Sequence, residues 1–427
     1  MRTVIALMSL LSLLPAEEQR ASLAIPVPLT AETVAAMART VAPEVAAARI
    51  GQAIAAANSR SAYAFAYPHL LGTASYTRAS LDYQEIPVFG NVAFNRENEY
   101  RTGIALEQYL YSYGRLGAAS DADNQLTRLA KHEVVLTQRD MAFMARITFE
   151  SARLARARQL IAADRVTQRT GERDDAHALA KAGRANISEA NLADIILAQA
   201  EDEYAAANNE WERILIKLAA LIGIDRVGMP AITAEPIERP DLPGLLNNAA
   251  QKINTSGEPV SLELQQQYED AIGRLERSTA RPQLNARASY GADGETYDNL
   301  DDNWSASLAL TWRLYDGGNT LAVSERAAQR SRQLRYQRDA SIRDRLIQLD
   351  QARSESSSLS ERIKLADQVM NLAQANYEDT RAQFRAGRLT LVQVGDSSFR
   401  LTEARYRLLT LRYQEAVLGH ELERLAE

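Results

Sequence analysis

The chain repeats itself once, and that duplication limits its fold more than any other feature. Pro68-His69-Leu70 followed by Ala74-Ser75-Tyr76 returns as Pro282-Gln283-Leu284 followed by Ala288-Ser289-Tyr290, with both the Pro and the Tyr displaced by 214 positions. Leu110-Tyr111-Ser112-Tyr113-Gly114 matches Leu314-Tyr315-Asp316-Gly317-Gly318, and Ala182-Gly183-Arg184 matches Ala386-Gly387-Arg388, both at an offset of 204. The change of ten falls between the first Tyr and the Leu-Tyr landmark, so one loop is longer in the first copy. Copies this long exclude a short-period solenoid.

Proline and glycine punctuate each copy in the same way. No proline occurs from Val88 to Met229 or from Gln283 to the C-terminus, and Ala118 to Thr170 and Asn319 to Ala386 are free of glycine. These runs are rich in Ala, Leu, Arg, Gln and Glu and are expected to form long helices. Arg115 to Ala182 corresponds to about 100 Å of helix at a rise of ~1.5 Å per residue. Gly183 and Gly387 mark turns, after which helices return over Asn186–Gly223 and from Leu389 to the end. A half-sized helix over roughly 33–66 precedes the first strand pair. Stacked on the returning helix it matches the length of the long one, as in a tube wall where continuous helices alternate with stacked pairs. The proline-rich stretch from Gly228 to Pro259 reads as irregular connecting structure. The expected division is therefore a first repeat over 25–227 (strand hairpin about 69–111, helical hairpin about 115–223), a connecting or equatorial segment over 228–258, and a second repeat over 259–427 (hairpins about 283–315 and 318–427).

The strands alternate. From Asn303 to Tyr315 one face carries Trp304, Ala306, Leu308, Leu310, Trp312 and Leu314, and the other Asn303, Ser305, Ser307, Thr311 and Arg313, interrupted by Ala309. Gln283 to Tyr290 behaves the same way, and Tyr100, Ile104, Leu106 and Leu110 form a weaker version. Such segments fit a lipid-crossing strand, apolar outside and polar inside, with Tyr76, Tyr290, Trp304 and Trp312 as membrane-interface aromatics. A soluble sheet lying on helices alternates too, with those aromatics in its core. If these strands span lipid the protein must oligomerise, because four strands per chain cannot close a barrel and an open edge in lipid costs several kcal/mol per unpaired group. The loops Ala79–Asn98 and Ala292–Asp302, the second acidic, are then extracellular.

Other chemistry is thin. The chain of 427 residues has no cysteine, which excludes disulfides, thiolate metal sites and a cysteine lipid anchor. Its net charge of −6 argues against nucleic-acid binding. His69, His132, His177 and His420 are scattered without metal-ligand spacing. No phosphate loop, dinucleotide fingerprint or nucleophile elbow is present, so no enzyme activity, metal or cofactor is expected. Arg2 followed by the apolar run Val4–Leu14 and Pro15-Ala16 fits a secretory signal peptide over 1–24, cleaved after Ala16 or Ala24; the other reading is a hydrophobic helix packed on the body. No later segment is apolar for long enough to span a bilayer as a helix.

The pattern resembles the TolC family of outer-membrane efflux proteins. The residues carrying the resemblance are Pro68 with Tyr76, Leu110-Tyr111 with Gly114, and Gly183 with Ile187 and Glu189. In the second copy they are Pro282 with Tyr290, Trp304, Leu314 to Gly318, and Phe384-Arg385-Ala386-Gly387 through Leu391 and Asp396. The resemblance implies a mainly α fold with a membrane β-barrel portion: a homotrimer whose twelve strands form one barrel in the outer membrane, continuous with a periplasmic α-helical barrel. It implies a passive exit duct of a tripartite efflux or type I secretion system. The partners would be a periplasmic adaptor (membrane fusion) protein, an inner-membrane RND or ABC transporter, and outer-membrane lipid. The turns at Gly183 and Gly387 would lie at the periplasmic tip and meet the adaptor. Glu189 and Asp396 match positions where family members place acids around the entrance, whereas Gln393 stands where some have aspartate. Acids early in a returning helix are also favoured by its dipole, and both readings stand. Arg184 and Arg388 would hold the closed tip or bind the adaptor, or are simply solvated. The rival to the duct is a periplasmic coiled-coil scaffold, which accounts for the helices but not for the duplicated strand pairs.

Overall fold

The structure, a computed structural model, describes residues 29–64, 66–80, 83–86, 90–93, 97–224, 232 and 239–427. The segment read as a signal peptide lies outside the described residues, as does part of the connecting segment.

The first repeat runs α1 (Ala31–Val41), α2 (Pro43–Ala64), β1 (His69–Arg78), β2 (Tyr83–Ile86), β3 (Gly90–Ala93), β4 (Asn98–Tyr111), α3 (Arg115–Lys181) and α4 (Ile187–Ile222). The second runs α5 (Leu242–Lys252), α6 (Glu258–Thr279), β5 (Gln283–Thr296), β6 (Asn299–Thr311), α7 (Asn319–Arg385) and α8 (Leu391–Ala426). Helices α3 and α7 have 67 residues each, and α4 and α8 have 36 each.

Four expectations are corrected. The helix expected over 33–66 is broken, because Pro43 forces the residue before it out of the helical region: Ala42 has ψ 129°, and the chain restarts as α2. The segment 228–258 is not wholly irregular, since α5 occupies 242–252. Asp241 caps it by accepting from the Gly244 amide, and its proline sits in the first turn, where a missing N–H costs nothing. The strand expected to reach Tyr315 ends at Thr311, which leaves Trp312 and Leu314 outside the sheet. The loop expected over 292–302 is mostly strand, since β5 and β6 pair out to Thr296 and Asn299, and the loop over 79–98 contains the small hairpin β2–β3.

The main sheet is antiparallel with the order β1-β4-β5-β6, so among the described residues β1 and β6 each have a free edge. Next to the sheet the helices lie in the order α2-α3-α6-α7. In the other half, α4 and α8 replace α2 and α6 beside the same two long helices. A wall one helix thick has no central core, so burial is confined to seams. Buried positions on α3 are accordingly dominated by alanine (Ala142, Ala145, Ala152, Ala155, Ala162, Ala176), which lets helices approach closely.

Larger side chains gather where the short helices cross the wall. Val34 and Met37 of α1 pack on Phe149, Trp211, Leu218 and Ile222. In the same way Leu242 and Ile253, at α5, pack with Leu349, Leu359, Leu418 and Leu422. An ionic cluster ties α1 to the end of α8 through α3. Arg146, nearly fully buried, meets Glu32 at 2.9 Å and Glu423 at 3.2 Å, and His420 Nδ1 lies 3.1 Å from Glu423. Burial alone would lower the His420 pKa, but hydrogen bonding to Glu150 and Glu423 outweighs it and raises the value to about 9.

His420 therefore favours the fold in its protonated form. Its contribution is complete below the unfolded value of about 6.5 and is lost as pH rises through about 9. Denaturant titrations from pH 6 to 10 should show wild-type stability falling across this window and His420→Gln much flatter. Parallel curves would contradict the assignment.

Candidate functional site

Two regions carry the candidate residues, the sheet and the turns at the far end of the helices. On the sheet, the register places side chains on two faces. One row runs Gly72, Ile104, Tyr290, Trp304, and another runs Leu70, Leu106, Ala288, Ala306. With Leu284 paired to Leu310, this face is apolar and exposed: Leu70 is 72%, Trp304 77% and Leu308 69% accessible. Tyr76 stacks obliquely on Tyr100 with ring centroids 4.8 Å apart, and the Tyr76 and Tyr290 hydroxyls donate to Asn98 and Asp302 at 2.9 and 3.1 Å. Tyr76 sits near the loop end of β1, level with Gly294, whereas Tyr290 and Trp304 pair across the middle of β5 and β6, and Trp312 lies beyond the end of β6. The opposite face is polar and self-paired. Arg287 bridges to Glu107 at 2.8 Å, Arg101 to Glu99 at 2.7 Å, and Ser289 bonds Ser305 at 2.8 Å.

At the other end, Gly183 and Gly387 have φ of +69° and +70° and close the long helices in the same way. The Arg184 amide donates to Leu179 O at 2.9 Å and the Arg388 amide to Gln383 O at 3.0 Å, the six-to-one bond of a left-handed helix terminus. The Arg184 and Arg388 side chains are exposed and have no side-chain partner among the described residues. Gln393 does not stand free. Its Oε1 accepts from the Thr390 amide at 3.0 Å and the Thr390 hydroxyl at 3.2 Å, so it completes the capping box of α8. Asp396 pairs with Arg400 on its own helix at 2.9 Å, and this pairing raises the Arg400 pKa. Glu189, half-buried in the first turn of α4, has no side-chain partner among the described residues. Within one chain Glu189 and Asp396 are not brought together, because α4 and α8 flank α3 on opposite sides.

What does converge is a set of residues that the sequence reading missed. Just above the turns, Ala176, Ala193, Tyr377, Phe384, Leu391, Val394 and Leu401 join all four helices in one small core. Across it, buried Arg169 and Glu172 pair at 2.6 Å, and the Tyr377 hydroxyl donates to Glu172 at 3.0 Å. Burial and the Glu172 carboxylate push the Tyr377 pKa well up, so the hydroxyl stays a donor. Arg385 of α7 bridges to Asp175 of α3 at 2.8 Å. The Arg381 guanidinium lies over Gly171, where an added Cβ would come within 2.5 Å of it. The only sequence trace of this set is the i,i+3 pair Arg169/Glu172; Tyr377 is 205 positions from its partner.

Comparison with known proteins gives a consistent picture. The family described as outer membrane efflux protein matches residues 261–425. The alkaline protease secretion protein AprF of Pseudomonas aeruginosa is 26% identical over 351 residues, covering 78% of this chain and 68% of that protein. Among solved structures, the outer membrane protein VceC of Vibrio cholerae superposes with a TM-score of 0.77 at 18% identity, over 93% of this chain and 96% of that one. The open state of the MtrE outer membrane channel of Neisseria gonorrhoeae gives a TM-score of 0.73 at 14% identity, over 93% and 88%.

Removing the Tyr377 hydroxyl leaves Glu172 short of a donor in a buried site, which typically costs about 1–3 kcal/mol. In Tyr377→Phe, amide exchange over residues 377–400 should quicken while exchange in α5 and its surroundings stays at the wild-type rate.

Proposed function

From the match of residues 261–425 to the outer membrane efflux protein family, we propose that the chain is a member of it and acts as a passive exit duct that carries cargo across the outer membrane as the outer component of a tripartite efflux or type I secretion machine. The observation that carries this reading is the sheet: four strands with an exposed apolar face, a polar face paired within itself, and two free edges, joined to helices about 100 Å long at ~1.5 Å per residue. A scaffold of coiled helices has no use for such a face.

The free edges suggest how the duct closes. β1 of one copy pairing with β6 of the next satisfies every edge, and three copies give a twelve-stranded barrel of the size range known for membranes. The same arrangement sets α7 of one copy beside α2 and α4 of the next. On α7, the exposed Leu365, Val369 and Leu372 fall on one stripe. A passive duct would carry no fuel of its own, so an inner-membrane RND or ABC transporter would supply the energy and a periplasmic adaptor would seat on the turns at Gly183 and Gly387, with Arg184 and Arg388 as contacts. Glu189 and Asp396, tripled by symmetry, would bias the entrance towards cations, and the Arg169–Glu172–Tyr377 and Arg385–Asp175 contacts would hold it narrow.

Detergent-purified protein in planar bilayers should give discrete, cation-biased channels, with the bias reduced in Glu189→Ala/Asp396→Ala. Channels with unchanged bias would retain the duct and discard the acidic entrance. A monomer soluble without detergent would sink the membrane reading altogether.

A further inference from the structure

Strands and helices meet at a rim, and at its centre the first repeat carries two irregularities that sheet closure does not require. β4 bulges between Tyr109 and Tyr111: Tyr109 pairs with Asn285, yet Tyr111 pairs with Leu284. The extra residue turns Tyr111 onto the apolar face, beside Leu284 and Leu310. Two residues on, Tyr113 has φ +50°, the one non-glycine among the described residues with positive φ, where the second repeat has Gly317 at +68°. A tyrosine in that region costs about 1–2 kcal/mol. The result is an ordered stack. The Tyr113 ring stands edge-on to Tyr111 at 5.3 Å, and the Arg281 guanidinium lies 5.7 Å from the Tyr113 centroid. Both rings are exposed, and so is Arg281, which has no ion-pair partner among the described residues.

We infer that Tyr111, Tyr113 and Arg281 form a cradle for the phosphodiester headgroup of a phospholipid at the periplasmic edge of the membrane. The inference rests on the membrane-spanning reading of the sheet. The cradle lies where the apolar face ends, the level at which lipid headgroups begin and at which amphipathic rings are favoured. A guanidinium offers a forked set of donors that matches phosphate oxygens.

Charge is complementary as well. The rim segments 108–116, 277–284 and 311–321 carry Arg115, Arg277, Arg281 and Arg313 against one acid, Asp316, whose two oxygens are taken by Gly318 and Thr320. The far end of the sheet carries Asp293, Glu295, Asp298, Asp301 and Asp302. A second copy of the chain is not the occupant. β4 and β5 are the inner strands of the sheet, and α3 and α6 are inner helices of the wall, whereas in the proposed duct copies would meet at β1, β6, α2 and α7.

Full-length wild type and Arg281→Gln would first be floated with phosphatidylcholine liposomes. Native mass spectrometry would then compare retention of phosphatidylglycerol with that of a diacylglycerol of the same acyl chains, which lacks the phosphate. Wild type should favour the phospholipid by about tenfold, the scale of one charge-assisted hydrogen bond. Arg281→Gln should lose most of that preference while floating and assembling normally. Tyr113→Gly, which matches the second repeat and relieves the backbone, should weaken it too. An equal preference in wild type and Arg281→Gln overturns the cradle, as does wild type that floats without any preference. Wild type that does not float at all removes the membrane reading, and the cradle with it.

Discussion

Unpaired backbone at the two edges of the sheet governs the rest of this architecture. β1 and β6 each present a row of amide and carbonyl groups with no strand partner among the described residues. In water those groups would be solvated, but in lipid, where the apolar face of Leu70, Trp304 and Leu308 would place them, they would be costly. In the duct proposed above, pairing with another chain would remove the cost without burying the apolar face. The duplication then follows a simple economy: each repeat contributes one strand pair and one helical hairpin, and adding copies extends a wall rather than filling a core.

The helical part obeys a related constraint. A wall one helix thick gains little from the hydrophobic effect per residue, because most of each helix remains accessible. It compensates in two ways. Alanine seams on α3 bring backbones close, and the large side chains are concentrated at two levels, the equator crossed by α1 and α5 and the small core above the turns. Buried charge follows the same distribution: Arg146 with Glu32 and Glu423 at the equator, Arg169 with Glu172 near the turns. Between these levels the helices rely on surface ion pairs, each of which contributes little.

Much of this plan was legible in the sequence, because glycine and proline mark backbone geometry directly. Gly183 and Gly387 stop helices for the same left-handed reason, and alternation in β6 separates its two faces. Proline misled where it opens a helix instead of ending one, at Pro43 and Pro243. Gln393 stands by analogy at an acidic position, although Thr-x-x-Gln is itself a capping pattern and the structure uses it so. The convergence of Glu172, Tyr377 and Asp175 with Arg385 was not legible, because contacts between residues more than 200 positions apart leave no local periodicity.

The unbroken run of α3 and α7 has a mechanical consequence. A helix without Pro or Gly-mediated breaks is a stiff rod, and these two pass through the equator while α2/α4 and α6/α8 are jointed there. The returning helix α8 is 36 residues long, so the lower section is a lever of about 54 Å at ~1.5 Å per residue. In the trimeric duct proposed above, tilting such a lever by about 2° about the equator would displace its end by roughly 2 Å, and a three-fold aperture would change by several ångströms while packing at the fulcrum shifted by far less. A small strain applied at the belt of α1 and α5 would thereby be geared up at the entrance, and because α3 and α7 run unbroken through the belt it would also be felt at the strands.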